Sequence, residues 1–170
     1  QYLAKIRALL KNSKRPVIIF GAGAKKIQQD YALIVEIEKL GIPVITTWGA
    51  TDFFDHDARF YFGNFGTHGS RVSNFAVQNS DLVISVGARL DTKATGTPVN
   101  TFARAAKKVM VDIDKTEIKK FEHFDLTLDL EIESDATEFL LHSMETMKHF
   151  TGTFEKWIET LNLWRSELNT

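Results

Sequence analysis

The chain has 170 residues, 44% hydrophobic and 25% charged, which suits one domain with a sizeable core. Its 21 Lys and Arg against 22 Asp and Glu leave a formal net charge of −1, so no global field draws it to nucleic acid or an anionic membrane. With no cysteine, disulfides and thiolate metal sites are excluded and a reducing, cytoplasmic setting is expected. No apolar run approaches the ~20 residues of a membrane span.

Leu3, Ile6, Leu9 and Leu10 fall at helical spacing and predict an amphipathic lead-in helix over residues 2–11. Pro16 then opens a buried strand, Val17 to Phe20, and Gly21-Ala22-Gly23 turns it into a helix expected from about Ile27 to Leu40, stopped by Gly41. Pro43 to Thr47 reads as a second strand running into Trp48-Gly49-Ala50. The aromatic stretch from Asp52 to Phe65 is expected to be an irregular loop packed on the body.

A helix over Ser70–Gln78 is expected to bury Val72, Phe75 and Ala76. Leu82–Val86 and Lys108–Ile113 read as buried strands, and Leu126–Ile132 alternates like an edge strand wet on one side. Ser134 with Thr137-Glu138 suggests a helix start, followed by Phe139, Leu140, Met144 and Met147 on one face. A last amphipathic helix runs from Phe154 to Leu168. Strands alternating with helices at this spacing predict an α/β fold: a doubly wound, mainly parallel, Rossmann-like sheet of five or six strands with helices on both faces. The expected organisation is a single domain over residues 1–150, with 151–170 a helical segment leading elsewhere. Opening on Gln1 without an initiator Met, the chain reads as a piece cut from a longer protein.

In such a sheet, ligands bind outside the carboxyl ends of the strands, which points to three loops. Gly66-Thr67-His68-Gly69 offers a histidine in a glycine-flanked loop, with Ser70 two residues on. His56 lies twelve positions away from His68, and no spacing typical of a metal site accompanies either histidine. Gly87-Ala88-Arg89-Leu90-Asp91 sets a guanidinium over the sheet edge, to grip a phosphate or to pair with Asp91 or Asp112. In Asp112-Ile113-Asp114 the second carboxylate suits a helix cap and the first faces a ligand.

Gly21-Ala22-Gly23 is half of a dinucleotide fingerprint. Lys26 stands where the third glycine belongs, and no acidic residue ends the second strand, so a standard NAD site is not expected. Those glycines still leave room for a phosphate against helix-start N–H groups. No G-x-S-x-G elbow, phosphate-binding P-loop or zinc spacing occurs, so catalytic and metal residues are assigned to none.

Read in order, Arg15-Pro16-Val17-Ile18, Gly21-Ala22-Gly23, Pro43-Val44-Ile45-Thr46-Thr47, Gly66-Thr67-His68-Gly69, Asp81-Leu82, Val86-Gly87-Ala88-Arg89 and Asp112-Ile113-Asp114-Lys115-Thr116-Glu117-Ile118-Lys119-Lys120 resemble the central domain of thiamine-diphosphate-dependent enzymes, most closely the acetolactate synthase group. The resemblance implies 2-keto acid decarboxylation and carboligation in a parent enzyme of branched-chain amino acid biosynthesis. Thiamine diphosphate and Mg²⁺ would be bound by the parent's amino- and carboxyl-terminal domains, and the parent would be a homodimer or homotetramer. It also implies FAD or another nucleotide in this domain, at Ala22, Thr47, Trp48, Phe65, Gly66, Thr67, His68, Gly87, Ala88, Arg89, Leu90, Asp91, Asp112, Ile113, Asp135 and Ala136. Trp48 stands where the group usually has Leu, and Thr92-Lys93-Ala94 departs from its usual Asp-Arg-Val. No Gly-Asp-Gly occurs, so the chain alone is not expected to catalyse. A stand-alone nucleotide-binding module, or an NAD-binding domain, is the alternative reading.

Overall fold

Six parallel strands lie in the order β3-β2-β1-β4-β5-β6 in the computed structural model, which describes residues 1–168. They are β1 (Pro16–Phe20), β2 (Val44–Thr46), β3 (Tyr61–Asn64), β4 (Leu82–Val86), β5 (Lys107–Asp112) and β6 (Leu130–Glu133). Helices α1 (Tyr2–Asn12), α2 (Tyr31–Lys39), α3 (Arg71–Asn79), α4 (Thr92–Thr95), α5 (Lys115–Lys119), α6 (Ala136–Lys148) and α7 (Glu155–Leu168) surround the sheet.

The central strands β1 and β4 are buried at every position because both faces are covered. Ile18 and Phe20 of β1 point into one core with Ile6, Leu10, Ile37, Phe139 and Met147 from α1, α2 and α6. Val17 and Ile19 point into the other, with Val72, Val77, Ile118, Trp157 and Leu161 from α3, α5 and α7. The period-two alternation of side chains thus sorts one strand between two cores.

Five sequence expectations need correction. Residues Ala22–Gln29 wind as a 3₁₀ turn burying Ala24 and Ile27, and the α-helix starts only at Tyr31. Asp30 restarts it by accepting a hydrogen bond from the Leu33 N–H at 3.0 Å. The stretch Asp52–Phe65 is not wholly irregular, since it contains β3. Two aromatics make that strand: Tyr61 is buried and its hydroxyl meets Thr46 Oγ1 at 2.8 Å. Pairing runs Val44 with Tyr61 and Thr46 with Asn64, so β3 carries one extra residue, a bulge at which Gly63 adopts φ 90.

The alternating stretch Leu126–Ile132 is strand only from Leu130. Leu126 is buried from a coil, and Asp129 donates its N–H to the Lys108 carbonyl while its carboxylate accepts from the Lys108 N–H and the Lys107 ammonium, instead of extending the ladder. In α3, Phe75 is half exposed and Val77 takes the buried position. The cap of α6 is Asp135 rather than Ser134, accepting from the Thr137 and Glu138 N–H groups.

Helix α7 is packed onto the body. Trp157 is buried and donates its indole N–H to the Pro16 carbonyl at 3.1 Å, and Arg59 pairs with Glu155. The last two positions of the 151–170 segment lie outside the described residues. No described helix is long and apolar enough to cross a membrane.

Candidate functional site

All the strands run the same way, so their carboxyl ends open on one edge, and there the loops after β1 to β5 enclose a cleft of about 890 Å³. Its floor is main chain. The Gly21 N–H donates to the Val86 carbonyl (3.0 Å), Gly23 to Gly87 (2.9 Å) and Gly87 to Val111 (2.9 Å). A Cβ at Gly21 would sit 2.3 Å from the Gly87 oxygen and 2.4 Å from Ala88 Cα, so only glycine lets the β1 and β4 loops touch. The expectation of a phosphate against helix-start N–H groups is revised: the Gly21 and Gly23 N–H groups are occupied by carbonyls of the protein, and a 3₁₀ turn follows in place of the helix start.

The β3 loop is pinned on both sides. Gly66 exchanges bonds with the Asn74 side chain at 2.8 and 3.1 Å, and Asn64 Nδ2 donates to the His68 carbonyl at 3.0 Å. Thr67 donates both its N–H and its hydroxyl to the Lys93 carbonyl, which commits that hydroxyl to the fold. Ser70 is equally committed: it caps α3 through the Ser73 N–H and meets the Ser73 hydroxyl at 2.8 Å, so no serine–histidine couple forms with His68. The His68 ring is exposed and lies against Trp48, centroids 5.1 Å apart and planes at 57°.

In the β4 loop, Leu90 holds φ 50, an uncommon conformation for a branched side chain. Asp91 caps α4 by accepting from the Ala94 N–H at 3.0 Å. The partner of Arg89 is neither Asp91 nor Asp112 but Glu117, at 2.8 Å. Glu117 also meets the Lys120 ammonium at 2.7 Å, and the Lys120 and then the Arg89 hydrogen bonds hold its carboxyl below the usual range. Sequence reasoning passed over Glu117, which sits one helical turn beyond the β5 end. Asp112 is buried and accepts from the Asp114 N–H at 2.9 Å; burial lifts its carboxyl above the ordinary range, and Glu117 and Asp114 add to the rise. Asp114 caps α5 through the Thr116 N–H at 2.8 Å, as its spacing suggested.

Of the residues expected at a ligand, Ala22, Thr47, Trp48, Phe65, Thr67, His68, Gly87, Arg89, Leu90, Asp91 and Asp112 line this cleft together. Gly66, Ala88 and Ile113 belong to the same loops without lining it. Asp135 and Ala136 follow β6 at the same sheet edge, at the cap and first turn of α6, without lining the cleft, and Ala136 is buried. Lys93 and Ala94, which the sequence marked only as departures from the family pattern, also line the cleft. Among the described residues the Lys93 ammonium forms no ion pair, and no group of three or more His, Asp or Glu could hold a metal.

A 3-2-1-4-5-6 parallel sheet with its cleft at the carboxyl edge, where the strand order reverses between β1 and β4, defines the doubly wound, Rossmann-type class. Within that class the chain belongs to the family of the thiamine pyrophosphate enzyme central domain, whose family model matches residues 3–142. Among curated relatives, the acetolactate synthase large subunit of Cyanidium caldarium is 33% identical over 174 residues, covering 97% of this chain and 28% of that protein. That of Corynebacterium glutamicum is 35% identical over 156 residues, 90% and 24% respectively. The acetolactate synthase of Mycobacterium bovis is 34% identical over 147 residues, 86% and 23%. The chain thus spans about a quarter of the length of these relatives.

Proposed function

We propose that this domain serves an acetolactate-synthase-like enzyme as the seat of a nucleotide, FAD or an ADP-type ligand, docked in the cleft at the strand ends. Supporting this is one observation above all: a roomy cleft at the topological switch point of a domain whose relatives bear the acetolactate synthase name. The residues suit such a group. Trp48 and His68 offer ring faces, Lys93 offers an unpaired cation for a diphosphate, and the main-chain floor admits close approach.

Thiamine diphosphate and Mg²⁺ do not suit this chain's donor set, and in our reading other domains of the same polypeptide hold them. When bound there, thiamine diphosphate supplies the decarboxylating and carboligating chemistry on a 2-keto acid such as pyruvate. This domain contributes position: it holds the nucleotide and joins its neighbours in a homodimeric or homotetrameric, cytoplasmic enzyme. Nothing favours the NAD reading, because the Gly21 and Gly23 amides are already taken.

The test is direct. The full-length protein, supplied with thiamine diphosphate, Mg²⁺ and pyruvate, is expected to release CO₂ and form acetolactate. Calorimetric titration of the 170-residue chain is expected to show binding of FAD or ADP and no heat with NAD. A full-length protein inert toward 2-keto acids, or heat with NAD alone, would overturn the reading.

A further inference from the structure

The opposite edge of the sheet holds a smaller cavity of about 360 Å³, where the amino end of β5 meets the segment leading into β6. Lys108 lines it, in surroundings unlike those of its neighbours. The Lys107 ammonium meets the Asp129 carboxylate at 3.0 Å, and Lys119, Lys120 and Lys148 each have glutamate partners. Lys108 is half-buried, its ammonium donates to the Ala106 carbonyl at 2.9 Å, and among the described residues it forms no ion pair. Asp129 gives its other carboxylate oxygen to the Lys108 backbone N–H at 2.8 Å, and Asp125 accepts from the Asn100 amide at 2.9 Å. A half-desolvated ammonium answered by one neutral carbonyl is biased toward its uncharged form. Burial accordingly pushes Lys108 below the usual lysine range, with Asp129 opposing the fall and Lys107 adding to it.

Arg104 lines the same cavity, exposed and without a carboxylate partner among the described residues. The turn that carries it is fixed. The Ala103 N–H donates to Gln78 Oε1 at 3.0 Å, the Ala106 N–H donates to the Ala103 carbonyl at 2.9 Å, and Ala103 holds φ 43. An amine and a free guanidinium in one cavity suit a molecule with a carbonyl carbon at one end and an anion at the other. We propose that Lys108 is a covalent modification site for a small aldehyde or ketone bearing an anionic group, which Arg104 holds. In that step the Nζ lone pair adds to the carbonyl carbon, the carbonyl oxygen leaves as water, and an imine to Lys108 remains. The cavity is at the small end of ligand pockets, fit for a small metabolite and cramped for a dinucleotide. Whatever occupies the carboxyl-edge cleft has no bearing on this chemistry.

Pyridoxal 5′-phosphate, an aldehyde that carries a phosphate, is the probe. The 170-residue chain and the full-length protein are exposed to it at neutral pH. Borohydride then delivers a hydride to the imine carbon, and the modified lysines are mapped by peptide mass spectrometry. Lys108 is expected to be labelled first, and Lys108→Arg to lose that fast labelling. Arg104→Gln should raise the half-saturating probe concentration about tenfold, the worth of one charge-assisted contact. Pyridoxal, which lacks the phosphate, should react with the wild type as weakly as the probe does with that variant. Protection by inorganic phosphate assigns the anionic group as a phosphate, protection by acetate assigns it as a carboxylate, and protection by neither overturns the proposal. Labelling spread evenly over the exposed lysines also overturns it, as does Lys108 labelling that neither Arg104→Gln nor loss of the probe's phosphate slows. If Lys108 reacts in the 170-residue chain and is silent in the full-length protein, a neighbouring domain covers the cavity and the site falls.

Discussion

Gly21 carries more of this site than any charged residue in it. Where its Cβ would go stand the Gly87 oxygen and the Ala88 backbone, neither of which can turn aside as a flexible side chain would. Gly21→Ala should therefore destabilise the chain by about 1–3 kcal/mol, the cost of overpacking, read as a lowered urea midpoint at unchanged slope. Ser85 is the opposite case. Its hydroxyl is wholly buried in the central strand β4 with no hydrogen-bond partner among the described residues. Ser85→Ala removes that orphan without opening a void and should stabilise by about 1 kcal/mol in the same assay.

Asp112 supplies a pH dependence whose sign follows from its burial. Its carboxyl is raised in the folded state, mainly by desolvation. Its contribution to stability is fully present below the ordinary carboxylate value and is lost as pH rises through the raised one. Asp112→Asn keeps an oxygen for the Asp114 N–H but cannot ionise. It should match the wild type in acid and exceed it at neutral pH when unfolding is followed across the range. At this scale the sequence was a good guide to the loops. It was a poor one to their bonding, because which carboxylate reaches Arg89 depends on where α5 sets Glu117, information held in no local motif.

Among the elements, those with a strong period were legible from the chain and those made by a single bond were not. β1 and β4 announce themselves as apolar runs, and α6 by its buried Phe139, Leu140, Met144 and Met147. The restart of α2 hangs on one Asp30 side chain, and β3 on an aromatic pair beside a bulged glycine, neither of which has a period to read. The end segment α7 illustrates how far packing outruns pattern. Its helical spacing is plain, but that Trp157 reaches under the sheet to the Pro16 carbonyl is a tertiary fact, with 141 positions between the partners. Trp157→Ala should cost about 3–5 kcal/mol in chemical denaturation, far beyond the ~1 kcal/mol at most that an exposed pair such as Arg59–Glu155 contributes.

The whole molecule is a sheet shared by two cores, one on each face, and that sharing makes separate melting of the two halves impossible without tearing the strands apart. A single cooperative transition is expected, with the slowest amide exchange in β1 and β4, which are paired on both sides. Two transitions, or β1 exchanging as fast as β6, would contradict the shared-sheet account. The strand order also separates tasks: the faces carry stability, and the carboxyl edge carries the cleft.

That cleft is floored by peptide groups bound to one another, and among its rim residues the side chains of Trp48, His68 and Lys93 make no hydrogen bond or ion pair with other described residues. A floor of main chain depends on side chains at few positions, Gly21 and Gly87 above all, whereas Trp48, His68 and Lys93 can each be exchanged at small expense to the fold. Ligand choice in such a domain is therefore free to drift while its architecture stays put, and a retained fold with an altered or abandoned ligand is the evolutionary outcome this construction makes easiest.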